Sequence, residues 1–366
     1  MNIIIFIIIL LVLVVSHEFG HFIVAKKAGI RVDEFAFGFK PRLFSVKKGE
    51  TTYSINALPI GGYVKIFGED PDDENTNGPD RARSFVHKPK YIQAAVMLGG
   101  VAMNFLLAWI LLSFSFVSGL PTSVGLQETG VVENAVLTIT HVALNSPAFD
   151  GGLMVGDKIL SMQAGNLLTQ TPSVESVQYF VAKHSDEEIK ISFERGKGEI
   201  SETTIIPKMG IIESDKPAIG VSMDMIGVLK LPIHKAIISG LKLTWDLTRA
   251  TAVGLFDLIV NSVRGTADIS SVTGPIGIVG IVGDAVSFGF VYLLSLTAII
   301  SINLVIINLI PFPALDGGRL LFLLIEKIKG SRINPKIANI VNMIGFGLLM
   351  LLMVVITYHD IVKIVK

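Results

Sequence analysis

The sequence predicts a multi-pass α-helical membrane protein with four spans and one small β-rich domain inserted between them. Three observations carry that expectation. The 366 residues are 51% hydrophobic and 17% charged, whereas soluble domains carry about a quarter charged residues. Four stretches, 2–25, 92–117, 288–310 and 337–357, are apolar over the ~20 residues that a bilayer crossing takes. Between the second and third, over 119–230, Gly, Pro and charged residues return.

The first stretch opens on Met-Asn without a positive charge, and no small-residue cleavage site follows it. Lys26 and Lys27 stand at its far end instead, so it reads as a retained span and not a signal peptide. Lys and Arg set the orientation. The loop after the first span holds Lys26, Lys27, Arg31, Lys40, Arg42 and further cations up to Lys90. The loop after the third holds Arg319, Lys327, Lys329, Arg332 and Lys336. Both loops are expected to face the cytoplasm. The N-terminus, segment 119–230 and the C-terminus then lie outside, with Lys363 and Lys366 weakly opposing.

Within the first loop, TTYSINALPIGGYVKIF (51–67) alternates around a Gly-Gly turn and reads as a β-hairpin. Segment 119–230 carries short alternating apolar runs broken by Gly and Asp, as in HVALNSPAFDGGLMVGDKILSMQAG (141–165). It predicts a β-rich domain whose longer helix covers 173–183. Over 232–264, Lys235, Lys242, Asp246, Arg249, Asp257 and Arg264 fall in one helical stripe roughly 80° wide, at about 100° per residue. That pattern suits a helix lying flat at the membrane interface and equally a helix packed into the protein with one wet face. Net charge is zero, with no basic patch interleaved with aromatics, so no nucleic-acid partner is expected. There are no cysteines, which excludes thiolate metal sites. Any metal must be held by His, Asp or Glu.

The first span contains HEFGH (17–21). On a helix, His17 and His21 project from one face, where both can reach one Zn²⁺. Glu18 lies beside them, placed to take a proton from water activated by the metal. A catalytic zinc needs a third protein ligand and an open position. Asp316, in NLIPFPALDGG (308–318), is the acidic residue at a span end with signs of special geometry. Pro311 and Pro313 break the helix, and Gly317 and Gly318 permit close backbone approach. A bare HExxH is a weak signal in a soluble chain. Charged groups at mid-helix in lipid cost about 2.5–3.5 kcal/mol each, so an unused HEFGH in a span would be hard to retain. Taken alone, Asp316 could equally sit in headgroup water just past the span.

With HEFGH in a first span and NLIPFPALDGG in a later one, the chain resembles the site-2 protease family of intramembrane zinc metalloproteases. The resemblance is closest to the bacterial regulator-of-sigma-E protease type and covers nearly the whole chain. FAFGFKPRLF (35–44), SINALPIGGYVKIFGE (54–69), GGVAMNF (99–105) and TGPIGI (273–278) stand in family order, and SPAFDGGLMVGDKIL (146–160) resembles part of a PDZ domain.

The resemblance implies His17, His21 and Asp316 as zinc ligands and Glu18 as catalytic base. It implies that Asn308 helps to hold the substrate backbone or the developing oxyanion. It also implies that the hairpin is membrane-associated. The resulting architecture is a multi-pass α-helical membrane protein with four transmembrane helices, a membrane-associated β-hairpin and one inserted PDZ-like α+β domain. Its regions are 1–118, 119–225 and 226–366. Two departures stand out. Close relatives often carry two PDZ domains, and Val101 occupies a position that is commonly proline.

Substrate is expected to unwind and add as a strand to the hairpin, touching Ile55, Asn56, Ala57, Leu58, Gly61 and Gly62, with Ile55 at an edge. Cleavage would occur toward the cytoplasmic side of a bacterial inner membrane. Implied substrates are single-pass membrane proteins such as anti-sigma factors, and remnant signal peptides. The PDZ-like domain could bind a peptide C-terminus or act as a size filter. Two rival classes are a metal-ion or proton transporter, which predicts repeated spans with symmetry, and a non-catalytic PDZ adaptor, which leaves HEFGH unexplained.

Overall fold

The computed structural model describes residues 2–70, 73–124, 132–143, 145–170, 172–196, 198–211, 216–266 and 273–365. Helix α1 (Asn2–Lys27) leads into two long strands, β1 (Val32–Lys48) and β2 (Thr51–Ile66). A short helix α2 (Asp73–Asn77) precedes the long α3 (Lys90–Ser118). Then come β3 (Leu120–Ser123), β4 (Glu133–Val142), α4 (Pro147–Asp150), β5 (Lys158–Ala164), β6 (Leu167–Gln170) and α5 (Val174–Lys183). They are followed by β7 (Ile189–Arg195), β8 (Glu199–Ile205), β9 (Lys208–Met209), β10 (Pro217–Ala218) and β11 (Val221–Leu229). The chain ends in helices α6 (Ile233–Arg264), α7 (Pro275–Phe288), α8 (Phe290–Leu309), α9 (Asp316–Lys329) and α10 (Pro335–Val365). These elements form two compact units, one of residues Met1–Leu112, Gly240–Gly283 and Leu294–Lys366, the other of Ser113–Ser239 and Asp284–Leu293.

Four helices in the described residues, α1, α3, α8 and α10, are long and apolar enough to cross a membrane. They coincide with the four expected spans. The Ile- and Val-rich start of α1 would favour a strand in water, but in lipid every backbone N–H must be satisfied within its own segment, which leaves the helix. Helix α1 stops where lipid-facing residues give way to Lys26 and Lys27. Gly29 adopts φ +66°, and Ile30 N–H donates back to Ala25 O at 3.0 Å, so a left-handed glycine closes the helix.

Helices α1 and α3 approach at backbone distance. A Cβ on Gly20 would lie 2.1 Å from Gly99 O, and one on Gly99 would lie 2.7 Å from Gly20 O. Small residues at such a crossing are how helices associate where lipid removes the hydrophobic drive. Helix α3 also packs on α8 through Ala108, Leu112, Ala298 and Ile302, flanked by Leu243 and Leu247 of α6. The Ser301 hydroxyl donates to Asn104 O at 2.8 Å. Helix α6 packs the partly buried Leu243 and Leu247 against this contact and leaves Trp245, Phe256, Ile259 and Val263 exposed.

Helices α7 and α9 were not legible as elements. The start of α7 is held by Asp360 of α10, whose carboxylate accepts from Gly274 N–H (3.0 Å) and Gly277 N–H (2.9 Å). A Cβ on Gly283, in the same helix, would meet Asn2 Nδ2 at 2.3 Å. The beginning of α1 and the end of α10 thus reach one short helix.

The expected hairpin is larger than the sequence suggested. Strands β1 and β2 pair antiparallel, and each folds over so that four segments form one small sheet. Residues 42–48 pair with 51–56, 52–55 also meet 34–37, and 32–37 meet 62–66. Ile55 has partners on both sides, Phe37 and Phe44. It is an interior residue, which corrects its expected place at an edge. The hairpin alternation was real, but 35–48 carry a second alternating run that supplies the missing neighbours. The edges are 42–48 and 61–66.

In the second unit, six strands run β3-β11-β4-β5-β7-β8, with β6 paired to β5. Alternate residues point inward, as the two-residue period of a strand requires. Leu137, Ile139, Ile159, Met162, Ile189 and Ile191 form a core with Val177, Phe180 and Val181 of α5. Helix α5 begins where expected, with Ser173 and Ser176 bonding each other's backbone N–H at 3.2 and 2.8 Å. Buried Asp157 accepts from Arg195 Nη2 at 2.6 Å. The described residues agree with an inserted α+β domain.

Candidate metal centre

Helix α1 projects His17 and His21 on one face, with their Nε2 atoms 3.1 Å apart. Asp316 comes from the far end of the chain. Pro311 and Pro313 stop α8 at Leu309, and the chain turns through Ala314 at φ +74°. That left-handed conformation is strained for a residue with a Cβ and is held by Asn342 Oδ1, which accepts from Ala314 N–H at 3.2 Å. A Cβ on Gly317 would meet Ile310 O at 2.2 Å, and one on Gly318 would meet Phe312 O at 2.2 Å. Only glycines let α9 fold back onto the loop this closely. Asp316 then opens α9, where a carboxylate is favoured by the helix dipole. Its Oδ2 lies 3.1 Å from His17 Nε2 and 3.2 Å from His21 Nε2.

Those three separations test the site for zinc. Tetrahedral Zn²⁺ with ligands at about 2.0–2.1 Å has neighbouring ligands about 3.3 Å apart. The observed triangle of 3.1, 3.1 and 3.2 Å matches one face of that tetrahedron. Asp316 Oδ2 is buried without a hydrogen-bond partner, which a cation would supply. His21 Nδ1 lies 2.8 Å from Val96 O. That carbonyl can only accept, so Nδ1 carries the proton and the Nε2 lone pair faces the triangle.

Several residues that the sequence did not assign complete the surroundings. A Cβ on Gly100 would meet His21 Nε2 at 2.4 Å and His17 Cε1 at 2.7 Å, so α3 forms the back wall. Asn104 Nδ2 lies 3.4 Å from His17 Nδ1. The available signal was a polar residue and two glycines inside a span, at a spacing of four from Val96 through Gly100 to Asn104. On the opposite side, the edge strand 61–66 runs beside Glu18. Glu18 accepts a hydrogen bond from the Val64 backbone, and a Cβ on Gly62 would meet Val14 Cγ1 at 3.1 Å and Glu18 Cγ at 3.6 Å. Arg319, just beyond Gly317 and Gly318, pairs with Glu69.

Other expected site residues are placed as follows. Asn308 is half-buried in the last turn of α8, ahead of the proline loop. Gly61 and Gly62 lie on the edge strand. Ile55 and Leu58 are exposed, whereas Asn56 is buried and donates to Gly38 O at 2.9 Å. Ala57 lies between them, half-buried.

Comparison with known proteins is consistent along the whole chain. The family model for peptidase family M50 matches residues 5–352. A Clostridium acetobutylicum protein described as a candidate zinc metalloprotease is 34% identical, over 99% of this chain and 97% of its own length. The zinc metalloprotease RasP of Geobacillus kaustophilus is 31% identical, over 99% of this chain and 98% of its own. The regulator of sigma-W protease RasP of Bacillus subtilis is 29% identical, over 98% of each.

Proposed function

The chain belongs to peptidase family M50 and is an intramembrane zinc metalloprotease of the site-2 type; on that premise we propose that His17, His21 and Asp316 hold the zinc, that Glu18 is the general base, and that substrate reaches them as an extended strand. The observation that carries the assignment is the triangle of two Nε2 atoms and one carboxylate oxygen at 3.1–3.2 Å. When bound, zinc polarises the scissile carbonyl and lowers the pKa of coordinated water.

Glu18 takes a proton from the attacking water as its oxygen bonds to the carbonyl carbon. It returns a proton to the leaving nitrogen as the C–N bond breaks. Asn308, as an amide donor, is assigned to the developing oxyanion or the substrate backbone.

A spanning helix keeps its backbone closed, so it must unwind before attack. The strand 61–66 runs beside Glu18 and, among the described residues, has a paired strand on one side only, which supports strand addition there once Val64 N–H exchanges Glu18 for substrate. Of the residues expected to touch substrate, this reading keeps Gly61 and Gly62 at the edge itself. Exposed Leu58 is next to them in sequence. Ile55, Asn56 and Ala57 support the sheet from within.

The convergence of Asn2 and the end of α10 on α7 supports both termini lying on one side; the Lys and Arg of the loops support that side being outside the bacterial inner membrane, with the catalytic groups, near Lys26 and Lys27 on α1, toward the cytoplasmic side. We read 119–225 as a PDZ-like domain. Strand β11 pairs with β4 along most of its length, but with β3 only from Ile226 to Leu229. Among the described residues its first half has no strand paired on the β3 side, which supports capture of a peptide C-terminus there. By analogy with the sigma-W regulator, the substrates are single-pass proteins such as anti-sigma factors, together with remnant signal peptides.

The test is metal analysis with cleavage of a model spanning helix on the same samples. Wild type should carry one zinc and cleave. His17→Ala and Asp316→Ala should lose both, and Glu18→Gln should keep the metal and lose cleavage. Zinc retained in full by Asp316→Ala would overturn the ligand set.

A further inference from the structure

The two imidazoles are not held alike. His21 Nδ1–H has a carbonyl acceptor, Val96 O at 2.8 Å. His17 Nδ1 faces a side chain, Asn104, at 3.4 Å, with the amide nitrogen turned toward it. In that orientation Asn104 donates, Nδ1 is the bare nitrogen, and the proton sits on His17 Nε2. That is the atom 3.1 Å from Asp316 Oδ2 and from His21 Nε2. A protonated Nε2 cannot bind a metal. Asn104 is fully buried, and its Oδ1 has no hydrogen-bond partner. The two ends of an amide have nearly the same shape, and their assignment follows from hydrogen-bond logic. Exchanging them breaks no bond to Oδ1, since it has none, and turns an acceptor toward Nδ1.

From this we propose that Asn104 is a positioning residue of the metal centre: its Oδ1 accepts from His17 Nδ1–H and thereby fixes the tautomer and ring plane that present Nε2 to zinc. This rests on the ligand set proposed above. Helix α3 then holds both ligands by oxygen acceptors. Val96 O serves His21 and Asn104 Oδ1 serves His17, four residues to either side of Gly100, whose missing side chain makes room for the rings. Ser301 clamps the same turn by donating to Asn104 O at 2.8 Å. That bond uses the main chain and leaves the amide free for His17. Acceptors behind metal-bound histidines orient them and raise their basicity, and losing one costs about 10–100-fold in metal affinity.

The test compares zinc dissociation constants, by chelator competition on purified full-length protein, for wild type, Asn104→Asp and Asn104→Leu. Unfolding midpoints of the zinc-free proteins and spectra of their Co²⁺ forms complete the comparison. Asp keeps an acceptor and should bind zinc at least as tightly as wild type. Leu keeps the volume without the acceptor and should bind about 10–100-fold more weakly, with an altered Co²⁺ spectrum. If Leu does not fold, Asn104→Ala carries the same expectation. Equal weakening by Asp and Leu, or weakening that follows only the zinc-free midpoint, would mean that Asn104 merely packs, and wild-type affinity in the Leu or Ala variant would overturn the proposal outright. A wild type that binds no zinc, or a His17→Ala variant that binds it normally, would instead refute the ligand set.

Discussion

At the scale of single residues, the metal centre is shaped as much by missing side chains as by the ligands. Gly100→Ala would drive a methyl into the two imidazoles, at 2.4 Å from His21 Nε2 and 2.7 Å from His17 Cε1. Both rings sit on α1, which is packed backbone to backbone on α3 at Gly20 and Gly99, and cannot retreat freely. We expect a cleavage rate lower by at least about 100-fold, the scale of loss from small misplacements in a site, together with reduced zinc content. Cleavage assays and metal analysis on one preparation would check both. His17, Glu18, His21 and Asp316 stood out in the sequence because titratable groups are costly inside or beside a span. Gly100 and Asn104 lay in GGVAMNF (99–105), a stretch that carried resemblance but no legible role: a glycine shows where space is needed only once its neighbour is known. Outside the spans, Glu50 behaves differently. Hydrogen bonds from Lys26 and Arg83 hold its carboxylate below the usual range. A depressed folded pKa contributes stability above the unfolded value of about 4.3 and loses it as pH falls through the folded value. These partners are partly exposed, so the loss should be no more than about 1 kcal/mol. Unfolding midpoints of wild type and Glu50→Gln should therefore differ at neutral pH and converge on acidification.

At the scale of elements, the β1–β2 sheet has an interior and two edges, and only one edge runs beside Glu18. Proline removes a backbone donor and is tolerated in sheets chiefly at edges. Tyr63→Pro, on the strand next to Glu18, should abolish cleavage of spanning helices while hydrolysis of a short, already extended peptide persists. Val46→Pro, on the opposite edge, should leave both nearly intact. Equal effects at the two edges would argue against strand addition at 61–66. This pair replaces the obvious choice of Ile55, where proline would break the sheet itself. The sequence made the alternation of 51–67 plain, yet could not show that 35–48 fold over to flank it, because register between segments depends on pairing and not on local pattern. The four long apolar helices and the capped helix α5 were readable for the opposite reason: length, periodicity and cap residues are local. Helix α9 was hidden behind Gly317 and Gly318, residues that weaken a helix but are required where it meets the proline loop.

At the scale of the whole molecule, the residues assigned to chemistry all lie in one unit, and the α+β domain is a separate one with its own core. The place to separate them is visible in the register. Ser123 of β3 and Ile226 of β11 are direct cross-strand partners, so a two-residue Asn-Gly turn can join them as a hairpin, replacing 124–225 and preserving the Leu120–Leu229 end of the pair. Because no proposed ligand and no residue of the α1–α3 crossing is removed, this variant should retain zinc. It should also cleave a substrate already trimmed of its outer domain at close to the wild-type rate. Its behaviour toward an untrimmed substrate distinguishes the two roles open to the domain. Gain of cleavage identifies a size filter, since removing the obstacle admits a bulky chain. Unchanged rejection, with a raised KM for trimmed substrate ending in a free carboxylate, identifies capture of that terminus on the open half of β11. Loss of zinc by the shortened protein would show that the domain is needed to assemble the metal centre, and the separation into independent units would then be wrong.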